Sequence, residues 1–173
     1  MKKILLGVSA GIAAYKSADI VRLFIQNRDE VKVIFTPQTK NLIHPNTFAA
    51  LSHHPVHEDL FDTQTSTMPH IELAKWADIF LIAPATASVI AKLAAGFADD
   101  LLTTVCLATP AKIILAPAMN KIMWEHPALQ NNIQKIQSYG YQILFPENGL
   151  QACGDEGVGR MQEPQQIFDA LQV

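Results

Sequence analysis

The stretch KILLGVSAGIAAYK, residues 3–16, carries most of the information about the fold. Its first half, Lys3–Val8, is a continuous apolar run of strand length, which is typical of a strand with both faces covered. Apolar residues at a helical spacing follow over residues 12–28. Three small residues, Gly7, Ser9 and Gly11, interrupt the apolar sequence within a few positions. They end the apolar run too early for a signal peptide, so we predict a buried strand that turns into a helix.

The rest of the chain repeats this alternation. Further strands are predicted at residues 31–36, 78–83, 112–116 and 141–145, and further helices at residues 38–51, 70–77, 86–95, 128–138 and 164–171. Residues 53–69 are predicted as loop with one short element, and residues 147–160 as a glycine-rich loop. Five apolar strands alternating with helices predict a single α/β domain over residues 1–173. Its expected fold is a doubly wound, Rossmann-like parallel sheet with helices on both faces.

Composition excludes several classes of protein. Of the 173 residues, 49% are hydrophobic and 17% charged, which is the balance of a folded domain rather than of a disordered chain. The net charge of -3 leaves no basic excess for binding nucleic acid, and no apolar run reaches the roughly 18 residues of a membrane span. With only Cys106 and Cys153, no disulfide framework is expected. We therefore expect a soluble protein of the reducing cytoplasm.

The ends of the predicted strands indicate where a ligand binds. In a doubly wound sheet, ligands bind beyond the carboxyl ends of the strands, near the point where the strand order reverses. Small and polar residues occupy the four loops expected at this edge, at residues 9–12, 35–36, 84–88 and 117–120. The sequence therefore predicts a site for a flat, nucleotide-like ligand that lies against the backbone.

The first of these loops has two interpretations. Residues 7–11 match the G-x-S-x-G pattern of a hydrolase nucleophile elbow, but too few residues precede them for that fold. The favoured interpretation is a phosphate site, because a helix that begins here presents free N–H groups and a positive dipole end. A tight turn that merely requires glycine is the structural alternative. The G-x-G-x-x-G pattern of a dinucleotide site is absent from the sequence.

The six histidines do not predict a metal site. His53, His54 and His57 lie close together in a polar segment, without cysteine or carboxylate ligands at a familiar spacing. His70 differs, because it opens the helix HIELAKWA directly before a strand. It could be a helix-capping residue or a general base, and spacing alone does not decide between them.

Two later segments hold further candidates. PAMNKIMW, residues 117–124, follows a strand on the ligand edge, and Asn120 there offers a donor and an acceptor suited to a carboxylate or an amide. For Met119, Met123 and Trp124, the pattern alone favours a place in the core. In ACGDEGVGRM, residues 152–161, Cys153 is the candidate reactive thiol, and a loop cysteine without a role is the alternative.

Six segments together resemble the phosphopantothenoylcysteine decarboxylase family, the flavin-dependent cysteine decarboxylases of coenzyme A biosynthesis. The segments are SAGIAAYK, HIELAKWAD, APATA, AGFADDLL, PAMNKIMW and ACGDEGVGRM, at residues 9–16, 70–78, 83–87, 95–102, 117–124 and 152–161. The resemblance extends over nearly the whole chain, and the last two segments are its most specific part. It implies a bound FMN with its phosphate at the first turn.

The resemblance also implies the residues of the site. Those expected at the cofactor are Ser9, Ala10, Gly11, Ile12, Phe35, Thr36, Pro84, Thr86, Ala87, Ser88, Val89, Ala116 and Ala118. Some relatives have Ser-Ala-Asn-Thr where this chain has Thr-Ala-Ser-Val, residues 86–89. Those expected at the substrate are Asn120, Met123, Ala152, Cys153 and Gly154.

The implied reaction converts N-[(R)-4'-phosphopantothenoyl]-L-cysteine into 4'-phosphopantetheine. Oxidation of the thiol to a thioaldehyde allows CO2 to leave as an enethiol forms, and this enethiol is then reduced. In this scheme His70 is the base near the thiol and carboxylate, and Asn120 holds the carboxylate. Cys153 donates the final proton from a flap formed by residues 149–161.

The resemblance further implies assembly into trimers or dodecamers of trimers, with the flavin at a subunit boundary and His70 acting on a neighbouring chain's flavin. A ligase that makes the substrate is fused downstream in many relatives, so we expect either a stand-alone enzyme or one domain. The alternatives are a peptidyl-cysteine decarboxylase of antibiotic maturation, a flavin prenyltransferase and a non-catalytic flavin-binding regulatory subunit. The His70, Asn120 and Cys153 set and the segment at residues 152–161 favour the coenzyme A enzyme over all three.

Overall fold

The computed structural model describes residues 1–61 and 67–172, and the predicted loop over residues 53–69 lies partly outside this range. The strands are β1 (Lys3–Val8), β2 (Glu30–Phe35), β3 (Val56–His57), β4 (Ile79–Ala85), β5 (Lys112–Pro117), β6 (Gln142–Ile143), β7 (Glu147–Leu150) and β8 (Glu156–Arg160). The helices are α1 (Ala14–Gln26), α2 (Pro45–Ser52), α3 (Pro69–Trp76), α4 (Ala87–Ala95), α5 (Leu101–Ala108), α6 (Lys121–Glu125), α7 (Pro127–Ser138) and α8 (Pro164–Ala170). A 3₁₀ turn, Thr39–Asn41, precedes α2.

The predicted parallel sheet is confirmed. A six-stranded sheet has the order β3-β2-β1-β4-β5-β6, and every neighbouring pair in it is parallel. The chain winds outward from β1 in one direction and then, from β4, in the other, so the strand order reverses between β1 and β4. The crevice at the carboxyl ends of these two strands is the position where such sheets bind ligands.

Helices cover both faces of the sheet, as predicted. Side chains alternate along β1, so that Ile4 and Leu6 pack with α1, α2 and α8, whereas Leu5 packs with α3, α4, α5 and α7. Burial on both faces explains why the central strands are continuous apolar runs in the sequence.

Several predicted boundaries were wrong. The glycine-rich segment predicted as a loop is an antiparallel hairpin of β7 and β8, which we call the flap hairpin, residues 147–160. Helices α5 and α6 were not predicted, and the sheet gains β3 as a sixth strand. The predicted helix over residues 38–51 divides at Pro45, which stands in the first turn of α2 because proline lacks the N–H that a helix interior needs.

Candidate active site

The turns after β1 and β4 are joined at the point where the strand order reverses. The Ser9 hydroxyl donates a hydrogen bond to the Pro84 carbonyl oxygen at 2.7 Å and accepts one from the Thr86 backbone N–H at 3.1 Å. Ser9 is only 1% exposed. Its side chain therefore fixes the two turns against each other, and backbone and smaller side chains form the surface of the crevice.

Two helices begin at this crevice. Helix α4 is capped by Thr86, whose hydroxyl accepts a hydrogen bond from the Val89 N–H at 3.5 Å. Helix α1 begins at Ala14 with no side-chain cap among the described residues, and residues 9–13 form the turn that leads into it. Free N–H groups and the positive ends of helix dipoles favour an anion. The predicted phosphate position, the turn after β1, is therefore chemically suited to that group.

A cavity of about 870 Å³ opens at the same edge of the sheet. The predicted site residues that line it are Ala10, Gly11, Ile12, Thr36, Thr86, Ala87, Ser88, Val89, Ala118, Asn120, Met123, Ala152 and Cys153. Four predicted residues, Ser9, Phe35, Pro84 and Ala116, are buried behind this lining, while Gly154 is exposed on the flap hairpin. An added Cβ at Gly11 would lie 3.3 Å from the Thr86 methyl group, so only a very small residue leaves the cavity wall undisturbed.

Sequence reasoning missed several polar residues of the lining. Examples are Tyr15, Lys16, Gln38, Lys92 and Asp100. They lie in or beside helices, where a charged or polar side chain normally faces water. The pair Asp99-Asp100 before an apolar run was the available signal, because Asp100 caps α5 by accepting a hydrogen bond from the Thr103 N–H at 2.8 Å.

Lys92 joins the ends of α4 and α5 beside the cavity. Its ammonium group donates to Asp99 at 2.8 Å and to Asp100 at 3.2 Å. The hydrogen bond to Asp99 raises the pKa of Lys92, and the same bond lowers the pKa of Asp99. Lys92 and Asp99 are therefore both charged at neutral pH beside the cavity.

Asn120 lies at the mouth of the cavity and makes two kinds of hydrogen bond. Its Oδ1 accepts from the Ile122 N–H at 2.8 Å, which caps α6. Its Nδ2 donates to the Cys153 Sγ at 3.4 Å and to the Asp155 Oδ2 at 3.0 Å. These contacts lower the pKa of Asp155, the bond from Asn120 contributing most. The structure thus brings together Asn120 and Cys153, which are 33 residues apart in the chain.

Backbone pairing and close approach hold the flap hairpin over the cavity. The Met119 N–H donates to the Gly159 carbonyl oxygen at 2.9 Å. The Gln151 side chain accepts from the Lys121 N–H at 3.1 Å, next to Asn120. An added Cβ at Gly159 would lie 2.2 Å from the Met119 carbonyl oxygen, a distance that atoms do not tolerate. Only glycine at this position allows β8 to reach the segment that carries Asn120.

Replacing Gly159 by alanine is therefore expected to displace the flap hairpin. Because the clash is with backbone, we expect the free energy of unfolding to fall by about 1–3 kcal/mol, as for overpacked sites, measured by denaturant titration. Gly149→Ala is the matched control, since its Cβ would meet only the flexible end of Arg160, at 3.3 Å. If the free energy of unfolding fell equally in the two variants, the close backbone approach at Gly159 would not be what makes alanine unfavourable there.

Charged side chains fasten the base of the flap hairpin to α1. Lys16 is only 7% exposed, and its ammonium group donates to the Met161 carbonyl oxygen at 3.2 Å and to Glu163 at 3.0 Å. Glu163 also accepts a hydrogen bond from Arg160. Lys16, and secondly Arg160, lower the pKa of Glu163, so this carboxylate stays ionised at neutral pH. The base is thus fixed by ion pairs, while the tip around Cys153 is exposed.

His70 lies apart from Asn120 and Cys153 within one chain. It lines a second cavity of about 370 Å³, together with Leu60, Phe61, Thr67, Pro69, Ala98 and Thr104, and none of these seven residues lines the main cavity. Its Nδ1 is buried, with no hydrogen-bond partner in the described part of the chain. A buried imidazole nitrogen without a partner is unusual in a folded protein. The helix-capping interpretation is not supported, because α3 has Met68 at its N-cap.

The histidine, cysteine and carboxylate side chains of residues 1–61 and 67–172 form no group of three or more that could hold a metal ion. Within the same residues, every helix is too short or too polar to cross a membrane. Cys106 is buried in α5, and burial raises the pKa of its thiol well above the ordinary value.

The fold and the site together define a doubly wound α/β protein with a nucleotide-sized cavity where its strand order reverses. The chain belongs to the Flavoprotein family, whose model matches residues 1–173. It is 48% identical over 171 residues to the "Coenzyme A biosynthesis bifunctional protein CoaBC" of Haemophilus influenzae. That match covers 98% of this chain and 43% of the relative, so the chain spans about two fifths of the length of the curated relatives it matches.

Solved structures share the whole fold. A cysteine-to-serine mutant of PPC decarboxylase complexed with pantothenoylaminoethenethiol superimposes with a TM-score of 0.86 at 27% identity, covering 99% of this chain and 96% of that one. The FMN-dependent cysteine decarboxylase SpaF superimposes with a TM-score of 0.85 at 30% identity, with the same coverage.

Proposed function

We propose that this chain catalyses the FMN-dependent decarboxylation of N-[(R)-4'-phosphopantothenoyl]-L-cysteine to 4'-phosphopantetheine in coenzyme A biosynthesis. The observation that carries the proposal is the contact of Asn120 with Cys153 at the mouth of the cavity, 3.4 Å between Nδ2 and Sγ. It puts a carboxylate-binding amide beside a proton-donating thiol. The CoaBC relatives and the PPC decarboxylase structure support the same reaction.

The residues of the crevice fit FMN. The cavity volume of about 870 Å³ lies in the range of cofactor sites, and the two helix N-termini suit a phosphate. The wall is built largely of backbone and short side chains such as Ala10, Gly11, Ala87 and Ala118, which leaves room for a flat ring system. A bound FMN would supply the reversible two-electron oxidation that converts the carbon bearing sulfur into an electron sink for decarboxylation.

The chain's own residues supply binding and protons. Asn120 has its Oδ1 fixed by the Ile122 N–H, so its Nδ2 points to the cavity and can hold the substrate carboxylate. Cys153 would donate a proton to carbon as the enethiol is reduced to the thiol product. The flap hairpin would exclude water while these steps occur. The solved cysteine-to-serine mutant with a bound aminoethenethiol supports this role for a cysteine.

His70 is proposed as the base that acts near the substrate thiol and carboxylate, and its location supports a role for a second chain. It lines a different cavity from Asn120, and Phe61, Met68 and Phe97 are more than half exposed at or beside its residues. Exposed apolar side chains around an unpartnered imidazole are typical of a surface that another subunit covers. We therefore propose a homotrimer, or a dodecamer of trimers, in which His70 serves the cavity of a neighbouring chain.

The proposal extends to location and partners. The exposed Cys153 must stay reduced to donate a proton, which supports a location in the reducing cytoplasm. A ligase that joins cysteine to 4'-phosphopantothenate must supply the substrate, either as a fused domain or as a separate protein. The bifunctional relatives, of which this chain matches about two fifths, support such a pairing.

Mass spectrometry of products tests the function directly. Purified protein, after its visible spectrum is recorded, is incubated with 4'-phosphopantothenoylcysteine. We expect flavin absorption bands and a product lighter by one CO2. Protein that binds no flavin after FMN is added would contradict the proposal. A flavin-loaded protein that decarboxylates only peptides ending in cysteine, or neither substrate, would identify a peptidyl-cysteine decarboxylase or a regulatory subunit instead.

A further inference from the structure

Asp155 at the tip of the flap hairpin contacts both groups proposed to act on the substrate. Its Oδ2 accepts a hydrogen bond from the Asn120 Nδ2 at 3.0 Å and one from the Cys153 Sγ at 3.5 Å. The backbone fixes this arrangement, because the Gln151 N–H donates to the Asp155 carbonyl oxygen at 2.8 Å and closes the turn over residues 151–155. The Asp155 carboxylate therefore already occupies the side-chain amide of Asn120, which is the group proposed to hold the substrate carboxylate.

The Asn120 Nδ2 carries two N–H groups, and they donate to the Cys153 Sγ and the Asp155 Oδ2. The Asn120 Oδ1 is an acceptor committed to the Ile122 N–H at 2.8 Å, which leaves the Nδ2 as its donor. The hydrogen bonds from Asn120 and Cys153 lower the pKa of Asp155, so this carboxyl group is ionised at neutral pH. A substrate carboxylate at the Nδ2 must displace one of these partners, and beside the Asp155 carboxylate it would meet a like charge, which is unfavourable.

We infer that Asp155 occupies the substrate-carboxylate position at Asn120 in the ligand-free chain and is displaced when substrate binds; this inference rests on the proposed function. Displacement is easy because Asp155 is exposed, so water replaces its lost hydrogen bonds. The exchange also breaks the contact of Asp155 with the Cys153 thiol. The thiol proton then becomes available to the substrate only after the correct carboxylate has bound.

Once CO2 has left, the product no longer holds a carboxylate at Asn120. Asp155 can then return to the Asn120 Nδ2 and to the Cys153 thiol. Asp155 is thus a specificity-determining residue. It weakens the binding of ligands that carry a carboxylate and leaves the binding of ligands without one unchanged, while only a carboxylate ligand frees the Cys153 thiol.

The test compares two unreactive probes on the flavin-loaded enzyme. One is 4'-phosphopantothenoyl-L-alanine, which keeps the carboxylate but lacks the thiol, and the other is the corresponding ethylamide, which lacks both. Dissociation constants are measured by isothermal titration calorimetry. For Asp155→Asn we expect the alanine probe to bind about fivefold tighter than in the wild type, the effect of removing one unit charge at about 4 Å in water. The ethylamide is expected to bind as before.

Glu156→Gln is the matched control, because it removes the same charge from the next residue of the flap hairpin. At Glu156 it is the backbone carbonyl oxygen that accepts a hydrogen bond, from Lys121, whereas the Asn120 Nδ2 donates to Asp155. Asp155→Ala is a second variant, because asparagine could retain a weaker bond to Asn120. Equal effects on both probes, or an alanine probe that binds no tighter to Asp155→Asn and Asp155→Ala, would overturn the inference alone. A flavin-loaded wild type that binds neither probe would overturn the proposed function and the inference with it.

Discussion

Replacing Cys153 by serine is expected to stop the reaction after CO2 has left. The substitution keeps the size of the side chain and leaves Asn120 in place, so substrate binding and decarboxylation should continue. A hydroxyl gives up its proton far less readily than a thiol, so protonation of carbon in the last step fails. We expect formation of 4'-phosphopantetheine to fall by about 10²–10⁴-fold, the usual contribution of a positioned proton donor. Mass spectrometry should detect the enethiol, which lacks two hydrogens relative to the normal product.

Cys106→Ala is the control for the loss of a cysteine. Cys106 is buried in α5, and it does not line the main cavity, so its removal should leave the product unchanged. Stopped-flow spectra would show whether the Cys153→Ser enzyme holds its flavin in reduced or oxidised form as the enethiol accumulates. Full conversion to 4'-phosphopantetheine by Cys153→Ser would show that another group donates the proton.

The sheet could be predicted from the sequence because its central strands are buried on both faces. Lys3–Val8 and Lys112–Pro117 are short, continuous apolar runs, and few other structures produce them. The flap hairpin could not be predicted in this way. Its strands contain Gly149, Gly157 and Gly159, which lack the side chains that identify a strand, and they are held by close backbone approach instead. Helix α5 was missed because its residues, LLTTVCLA, are largely buried and show little amphipathic periodicity.

The candidate site likewise contains residues that local sequence patterns predict and residues that they do not. Asn120 and Cys153 stood out because each follows an unusual local pattern, and the structure brings them within 3.4 Å. The contact of both with Asp155 depends on how the flap hairpin folds over Asn120, which no local pattern encodes. Lys16 was missed for a related reason. It is a charged residue in an amphipathic helix, and its burial against Met161 and Glu163 arises only when distant segments meet.

The separation of His70 from Asn120 leads to a second prediction, which concerns the decarboxylase activity of variants at these two residues. His70→Asn removes the base, and Asn120→Asp replaces the amide donor with an anion while keeping an oxygen that can cap α6. Each variant alone is expected to lose at least about 10²-fold in activity, while its free energy of unfolding changes little. If His70 serves the cavity of a neighbouring chain, a mixed assembly contains some sites with both residues intact.

Coexpression of the two variants in equal amounts should therefore restore activity. Each site draws His70 from one chain and Asn120 from another, and each has an even chance of being intact. About a quarter of the sites should then be active, as expected for a heterologous interface between identical subunits. The matched controls are the two variants purified separately and mixed without subunit exchange, which should show only their own residual activity. Coexpressed enzyme no more active than those controls would mean that one chain supplies both residues. His70 would then have to reach Asn120 by a rearrangement within that chain, because in this structure the two residues line different cavities.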